Sequence, residues 1–274
     1  MKAESLENWL EFSNLIDEKF QLLRKNKTIA SQPLFRGQAQ SDWELKTTLE
    51  RYCPEETMTF EKYDTLIREA GGQISSLCDY DIKFDENYRE PDEKACISDE
   101  LQNIGEMMWL RQNGFPSPLL DWSRSPYIAA FFAFYEASKN DTENVSIFLF
   151  IDSTTGVKTG NQHEPSIVVS KGNYFTDRKH YNQQSAYTTC RMKTHGSDGS
   201  WRYLEHSDGF KTHANDPQQN NLAKYNIPVS QKNTFLNNLS LMGITESSLF
   251  GSLSATLNTI ARDIFIKKFP HSFR

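Results

Sequence analysis

Residues 34–45 read LFRGQAQSDWEL, an apolar pair that runs into an arginine, a glycine and a glutamine. With Pro33 in front and Gly37 behind, Leu34 and Phe35 have the pattern of a short buried strand that turns at its end. Arg36 then sits at the rim of that strand. There its planar fork could meet a pyrophosphate, with the absent Cβ of Gly37 letting a ligand approach, or it could pair with a carboxylate inside the protein. The residues alone leave both readings open.

A buried strand needs neighbours, and the chain offers several. SPLLDW at 117–122 is a strand-like apolar run, VSIFLFIDS at 145–153 and PSIVVSKG at 165–172 are rich in β-branched residues, and SAYTTCRM at 185–192 is a further candidate. Helices alternate with them. Leu6, Trp9, Leu10, Phe12, Leu15, Ile16 and Phe20 recur at helical spacing, which predicts an amphipathic helix over 5–25 with Ser5 at its cap. Residues 63–77 read as helix interrupted at Gly71-Gly72, and residues 99–113 as a helix that stops at Gly114 and Pro116. Ser125-Pro126 stands in helix-opening order before a stripe of small and aromatic residues. From 227 onward the pattern is strand, helix, turn and closing helix.

These elements predict the α+β class, a mixed sheet core flanked by N-terminal and C-terminal helices. We divide the chain into an N-terminal helical segment at 1–30 and one domain at 31–274. The domain carries a charged loop at 80–98, which reads as a surface loop or lid, and a long polar insertion at 194–226 without evident structure.

The composition narrows the function classes. Aromatic residues make up 12 % of 274 residues, which indicates a packed interior, while the formal charge of -6 gives no overall attraction to nucleic acid. The charge is nonetheless uneven: acids predominate over 81–106 and bases over 155–232, so a local basic face is expected. No run is long and apolar enough to span a membrane, and the start lacks the pattern of a signal peptide, so the chain reads as soluble and cytoplasmic. Cys53, Cys78, Cys96 and Cys190 have no metal-ligand spacing, and the six histidines form no ligand motif.

Two further segments could carry chemistry. Asp121, Ser123 and Ser125 lie between a strand and the first turn of a helix, where unpaired N–H groups favour an anion. The same residues also suit a cap, with Ser123 or Ser125 bonding the first turn, Pro126 at the first helical position and Asp121 bonding nearby backbone. Gln183 and Gln184 precede a strand, where adjacent amides serve as loop hydrogen-bonders or as site groups.

In combination these blocks resemble the FRG domain family, named for the Phe-Arg-Gly found here at 35–37. FRGQAQSDWEL, LRQNGFPSPLLDWSRSPYIAAFFA, NQQSAYT and LSLMGITESSLFGSLSATL occur in the family's order over about residues 32–261. The segment that usually reads Gln-His-x-Gly-x-Pro-Thr-Arg is here Arg111 to Pro118, without the histidine or the second arginine. Likewise Gln-x-Gly-x-Phe is replaced by Gln183 to Tyr187, and Pro-Asp-Leu by Gly251 to Leu253. The chain is thus similar to a divergent member.

The block order is also similar to that of ADP-ribosyltransferases of the Arg-Ser-Glu type, which implies a split sheet and NAD as cofactor. On that likeness Arg36 would hold the NAD diphosphate, with Gly37 and Gln38 beside it in the cofactor site. Ser123 and Ser125 would shape its nicotinamide end, and Tyr127 or Trp122 would stack on a ring. Gln183 or Gln184 would take the catalytic glutamate position, with Asp121 as a further acid. The function implied is that of a toxin or defence effector, antiviral for example, which transfers ADP-ribose to RNA or protein and is neutralised by an antitoxin partner. The alternative is a non-catalytic nucleotide or nucleic-acid binding module.

Overall fold

The computed structural model describes residues 3–25, 31–54, 58–77, 82–85, 101–170, 178–195, 199–212 and 216–268. Strand β1 (Glu4–Ser5) leads into helix α1 (Trp9–Lys25), and β2 (Leu34–Gln38) follows, so the helix starts later than its periodicity predicts and Ser5 pairs in a sheet instead of capping. Next come α2 (Thr48–Tyr52), α3 (Phe60–Leu77), α4 (Ile104–Gln112), β3 (Leu120–Ser123) and α5 (Pro126–Tyr135). Strands β4 (Asn144–Ser153) and β5 (Ser166–Val169), helix α6 (Arg178–Asn182), strands β6 (Ser185–Lys193) and β7 (Trp201–Tyr203), helix α7 (His206–Thr212) and strand β8 (Gln219–Pro228) complete the sheet region. Helices α8 (Lys232–Leu241), α9 (Glu246–Phe250) and α10 (Leu253–Lys268) close the chain. The α+β class is as the sequence predicts.

Two expectations change. α3 is continuous through Gly71-Gly72, and Gly71 is there for packing, since a Cβ would lie 2.3 Å from the Phe84 ring. The polar stretch 194–226 is not a structureless insertion: it holds β7, α7 and most of β8, and β8 is a ten-residue strand inside the sheet. Its polarity comes from buried amides with structural partners. Asn220 accepts from Lys158 Nζ (2.7 Å), and Gln219 accepts from the Thr159 N–H (3.0 Å). Of the loop 80–98, only 82–85 falls among the described residues.

The sheet order is β1-β8-β4-β2-β3-β6-β5, with β7 on β6; the β1–β8 pair is parallel and the other pairs are antiparallel. Its centre is nearly divided. All five residues of β2 pair with β4 and all four of β3 pair with β6, yet β2 and β3 share one register pair, Phe35 with Ser123. Beyond that pair the strands part, and a cleft opens between two half-sheets.

Successive strand residues face opposite sides, so Phe35 and Gly37 turn one way and Leu34, Arg36 and Gln38 the other. Phe35 joins a core with α1, α5 and α8 through Phe12, Ala129, Phe134 and Phe235. Leu34 joins a second core with Trp122, Phe150 and Ile167. A third core, around Tyr63, Met107 and Trp201, fixes α3 and α4 beside the cleft. The first helix therefore shares a core with the sheet it precedes.

Candidate functional site

The cleft between the half-sheets has a volume of about 1000 Å3. β2 contributes Arg36, Gly37 and Gln38 to it, and β3 contributes Asp121, Trp122 and Ser123. Arg111 and Gln112 come from the last turn of α4, and Arg51 from α2. The loop after β2 adds Trp43, Glu44 and Lys46, and α5 and α9 add Phe132, Tyr135 and Phe250. Lys179 and Gln183 close the far side.

Arg36 holds the split open and in register. Its Nη1 donates to the carbonyl of Asp121 at 2.7 Å, in place of the ladder hydrogen bond that the parting strands no longer make. The same nitrogen lies 3.8 Å from Asp121 Oδ2, and Arg111 Nη2 donates to that oxygen more closely. Two guanidiniums thus share one carboxylate. The side chain of Arg36 is only 16 % exposed, and burial pulls its pKa down to about 10, against the pull of Asp121 and with help from Arg111 and Arg51. It is still a cation at neutral pH. Among the described residues the buried Nε–H groups of Arg36 and Arg111 have no hydrogen-bond acceptor, so the floor of the cleft carries excess positive charge and unmatched donors.

Gly37 has a packing role. A Cβ there would lie 1.9 Å from the Ala129 carbonyl oxygen and 2.6 Å from the Ala133 nitrogen, so the missing side chain lets β2 lie against the backbone of α5. The expectation that it clears space for a ligand is replaced by this contact. Gln38 is 5 % exposed; its Nε2 donates to the Glu44 carbonyl at 3.1 Å and its buried Oε1 has no partner among the described residues.

The structure divides the other sequence candidates. Ser123 Oγ donates to the Gln183 carbonyl (2.8 Å) and accepts from the Ser125 N–H (3.1 Å), which ties β3 to the loop before β6. Gln183 lines the cleft, with its Nε2 donating to the Leu249 carbonyl at 3.4 Å. Ser125, Tyr127 and Gln184 do not line the cleft: they surround a separate cavity of about 370 Å3 against Ile16 and Phe20 of α1. Ser125 caps α5 by accepting from the Ile128 N–H. Gln184 takes a left-handed conformation (φ 48°), and the two neighbouring amides part there.

Trp122 borders the cleft, but its ring is only 3 % exposed, packs on Phe150 and donates through Nε1 to Thr188 Oγ1 (2.9 Å). It is a core ring, as is expected of the apolar side of β3. The rings that do form a wall are Phe132, Tyr135 and Phe250, with centroids about 6 Å apart, and Trp43, which is 46 % exposed. Burial first, and Glu246 next, push the Tyr135 phenol up to about 12, so it keeps its proton.

Arg51, Arg111, Trp43, Phe132, Tyr135 and Phe250 escaped the sequence reading. No local pattern marks them, because each reaches the cleft through tertiary packing. Arg111 lies in the segment that departs from the expected motif, and the departure itself was the available signal. The basic excess over 155–232 also changes meaning: Lys158 is held by Asp152 (2.5 Å) and Arg191 is buried against Trp201, so neither adds to a surface face.

The fold is that of an α+β protein whose divided sheet opens on a cationic, partly aromatic cleft. The FRG domain family model matches residues 31–142, the stretch that carries both strands of the split, Arg36, Arg111, Asp121 and α5. The Gln183 block and the C-terminal block lie outside that match. No curated protein and no solved structure matches the chain. Among the described residues no helix is long and apolar enough to cross a membrane.

Proposed function

We propose that the cleft binds NAD, with the diphosphate at Arg36 and Arg111, and that the chain acts as an NAD-dependent ADP-ribosyltransferase-like effector on a macromolecule, RNA or protein. The observation that carries the binding is the pair of guanidiniums that share the single carboxylate of Asp121. A fork-shaped cation under-supplied with anion is suited to phosphate oxygens. The volume lies at the upper end of the roughly 300–1000 Å3 usual for small-molecule sites, which suits a dinucleotide with two rings. The aromatic wall of Phe132, Tyr135 and Phe250 offers one of those rings an apolar face.

In the transfer step the bond from the nicotinamide nitrogen to ribose C1′ breaks, with its electron pair leaving on nicotinamide. The acceptor oxygen or nitrogen bonds to C1′ and gives up its proton. Positive charge develops on the ribose and calls for a nearby carboxylate. Asp121 is engaged by two arginines, so it acts chiefly to position them. Gln183 supplies a hydrogen bond for orienting the acceptor, and Glu136, at the C-terminal end of α5, is a cleft-lining carboxylate available for the charge. A neutralising antitoxin is the partner proposed for such an effector.

A second reading, a module that binds nucleotide without turning it over, is favoured by one observation: an amide, Gln183, stands where a transferase of this type would present a carboxylate. Labelled NAD incubated with the purified protein and either cell RNA or cell protein separates the two. Transfer of label with release of nicotinamide supports the effector; binding without either leaves the module.

A further inference from the structure

Resting on the nucleotide reading of the cleft, we propose that Gln38 is its specificity-determining residue, and that it accepts a hydrogen bond from the amino group of the ligand's planar ring. Gln38 is almost wholly buried, lines the cleft, and its Oε1 has no partner among the described residues. The orientation of the amide is fixed by its other end. Nε2 donates to the Glu44 carbonyl, and the flipped amide would set two oxygens against each other. The acceptor is therefore the atom left over. A buried acceptor without a donor is costly, and in a native protein it calls for an explanation that a ligand can supply.

The position of the residue names the part of the ligand concerned. Gln38 follows Arg36 by two residues on β2, so the two side chains share a face about 7 Å apart along the strand. That is one step along a nucleotide from a diphosphate held at Arg36 toward a ring. The same bond to Glu44 ties Gln38 to the loop that carries Trp43, whose exposed indole lines the cleft. A flat ring stacked on Trp43 and donating N–H to Gln38 satisfies both. The chemistry demanded is an NH2 group, which in NAD occurs on adenine and on the nicotinamide carboxamide.

Calorimetric titration of the full-length protein with four probes tests this. They are NAD, its hypoxanthine counterpart (amine replaced by oxygen), its nicotinic acid counterpart (amide replaced by carboxylate) and inorganic pyrophosphate. One counterpart should bind about tenfold to a hundredfold more weakly than NAD, because the orphaned acceptor then meets oxygen. The counterpart that loses affinity identifies the end that Gln38 reads. In Gln38→Met the discrimination should disappear. Where that variant does not fold, Gln38→Asn, which withdraws the acceptor by one methylene, should also lose it. Equal binding of NAD and both counterparts, or discrimination that survives in the variants, overturns the assignment while leaving the nucleotide cleft standing. Failure of every probe to bind overturns both.

Discussion

Arg36 Nη1 donates to the main-chain carbonyl of Asp121 across 2.7 Å at the point where β2 and β3 part. One guanidinium therefore closes an open ladder and faces the cleft. Removing it should be felt in stability before any ligand is added. Arg36→Met keeps an unbranched stem and loses the donor, leaving a partly buried carbonyl unmatched, and should cost about 1–3 kcal/mol in chemical denaturation. A variant as stable as the parent would mean that the split sheet does not depend on this bond.

Gly37→Ala should be among the more damaging small changes available. The added methyl would meet α5 backbone at 1.9 Å and 2.6 Å, so strand and helix must separate and about 1–3 kcal/mol or more is lost. Gly72→Ala, in the interior of α3 with open space around the new methyl, should gain up to about 1 kcal/mol. Denaturation midpoints that move in opposite directions for the two alanines check the packing role; a tolerated Gly37→Ala removes it.

His180 lies beside Tyr187, whose hydroxyl accepts from Gln112 Nε2 (2.8 Å) and stands 3.2 Å from His180 Nδ1. Burial first, and Arg124 next, lower the pKa of His180 below its ordinary value of 6.5. The unfolded chain then takes up a proton before the folded one does. This contribution to stability is complete above about pH 6.5 and is lost progressively as the pH falls toward the lowered pKa. The stability difference between wild type and His180→Gln should be constant above neutrality and should shift against the wild type on acidification. A difference independent of pH contradicts the assignment.

Part of this architecture was legible in the sequence because its signals are local. Ser125-Pro126 announced α5 through a cap and a residue that suits the first turn, and the β-branched runs announced β4, β5 and β6. β8 was legible only at its last residues, where a strand is read from 227; the rest was hidden because its alternation is broken by Gln219 and Asn220, whose polarity serves partners in the 152–159 region. The pairing of β1 with β8 joins residues more than two hundred positions apart, and no window contains it. At the site, Arg36 could be read from its setting between Phe35 and Gly37, although Gly37 proved to face α5. Arg111 could not, since only the packing of α4 beside the split brings it to Asp121. Ser125 and Gln184 sat close in sequence to cleft residues, yet a helix cap and a left-handed turn direct them elsewhere.

Arg36 and Arg111, with Asp121 between them, are proposed to hold the diphosphate of NAD, and calorimetric titration of NAD into wild type and Arg111→Ala, with folding of the variant verified by circular dichroism, tests this most directly. Saturable binding to the wild type is expected, weakened about tenfold to a hundredfold in the variant by loss of a charge-assisted hydrogen bond. Absence of NAD binding to the folded wild type, or equal binding by the folded variant, would contradict it.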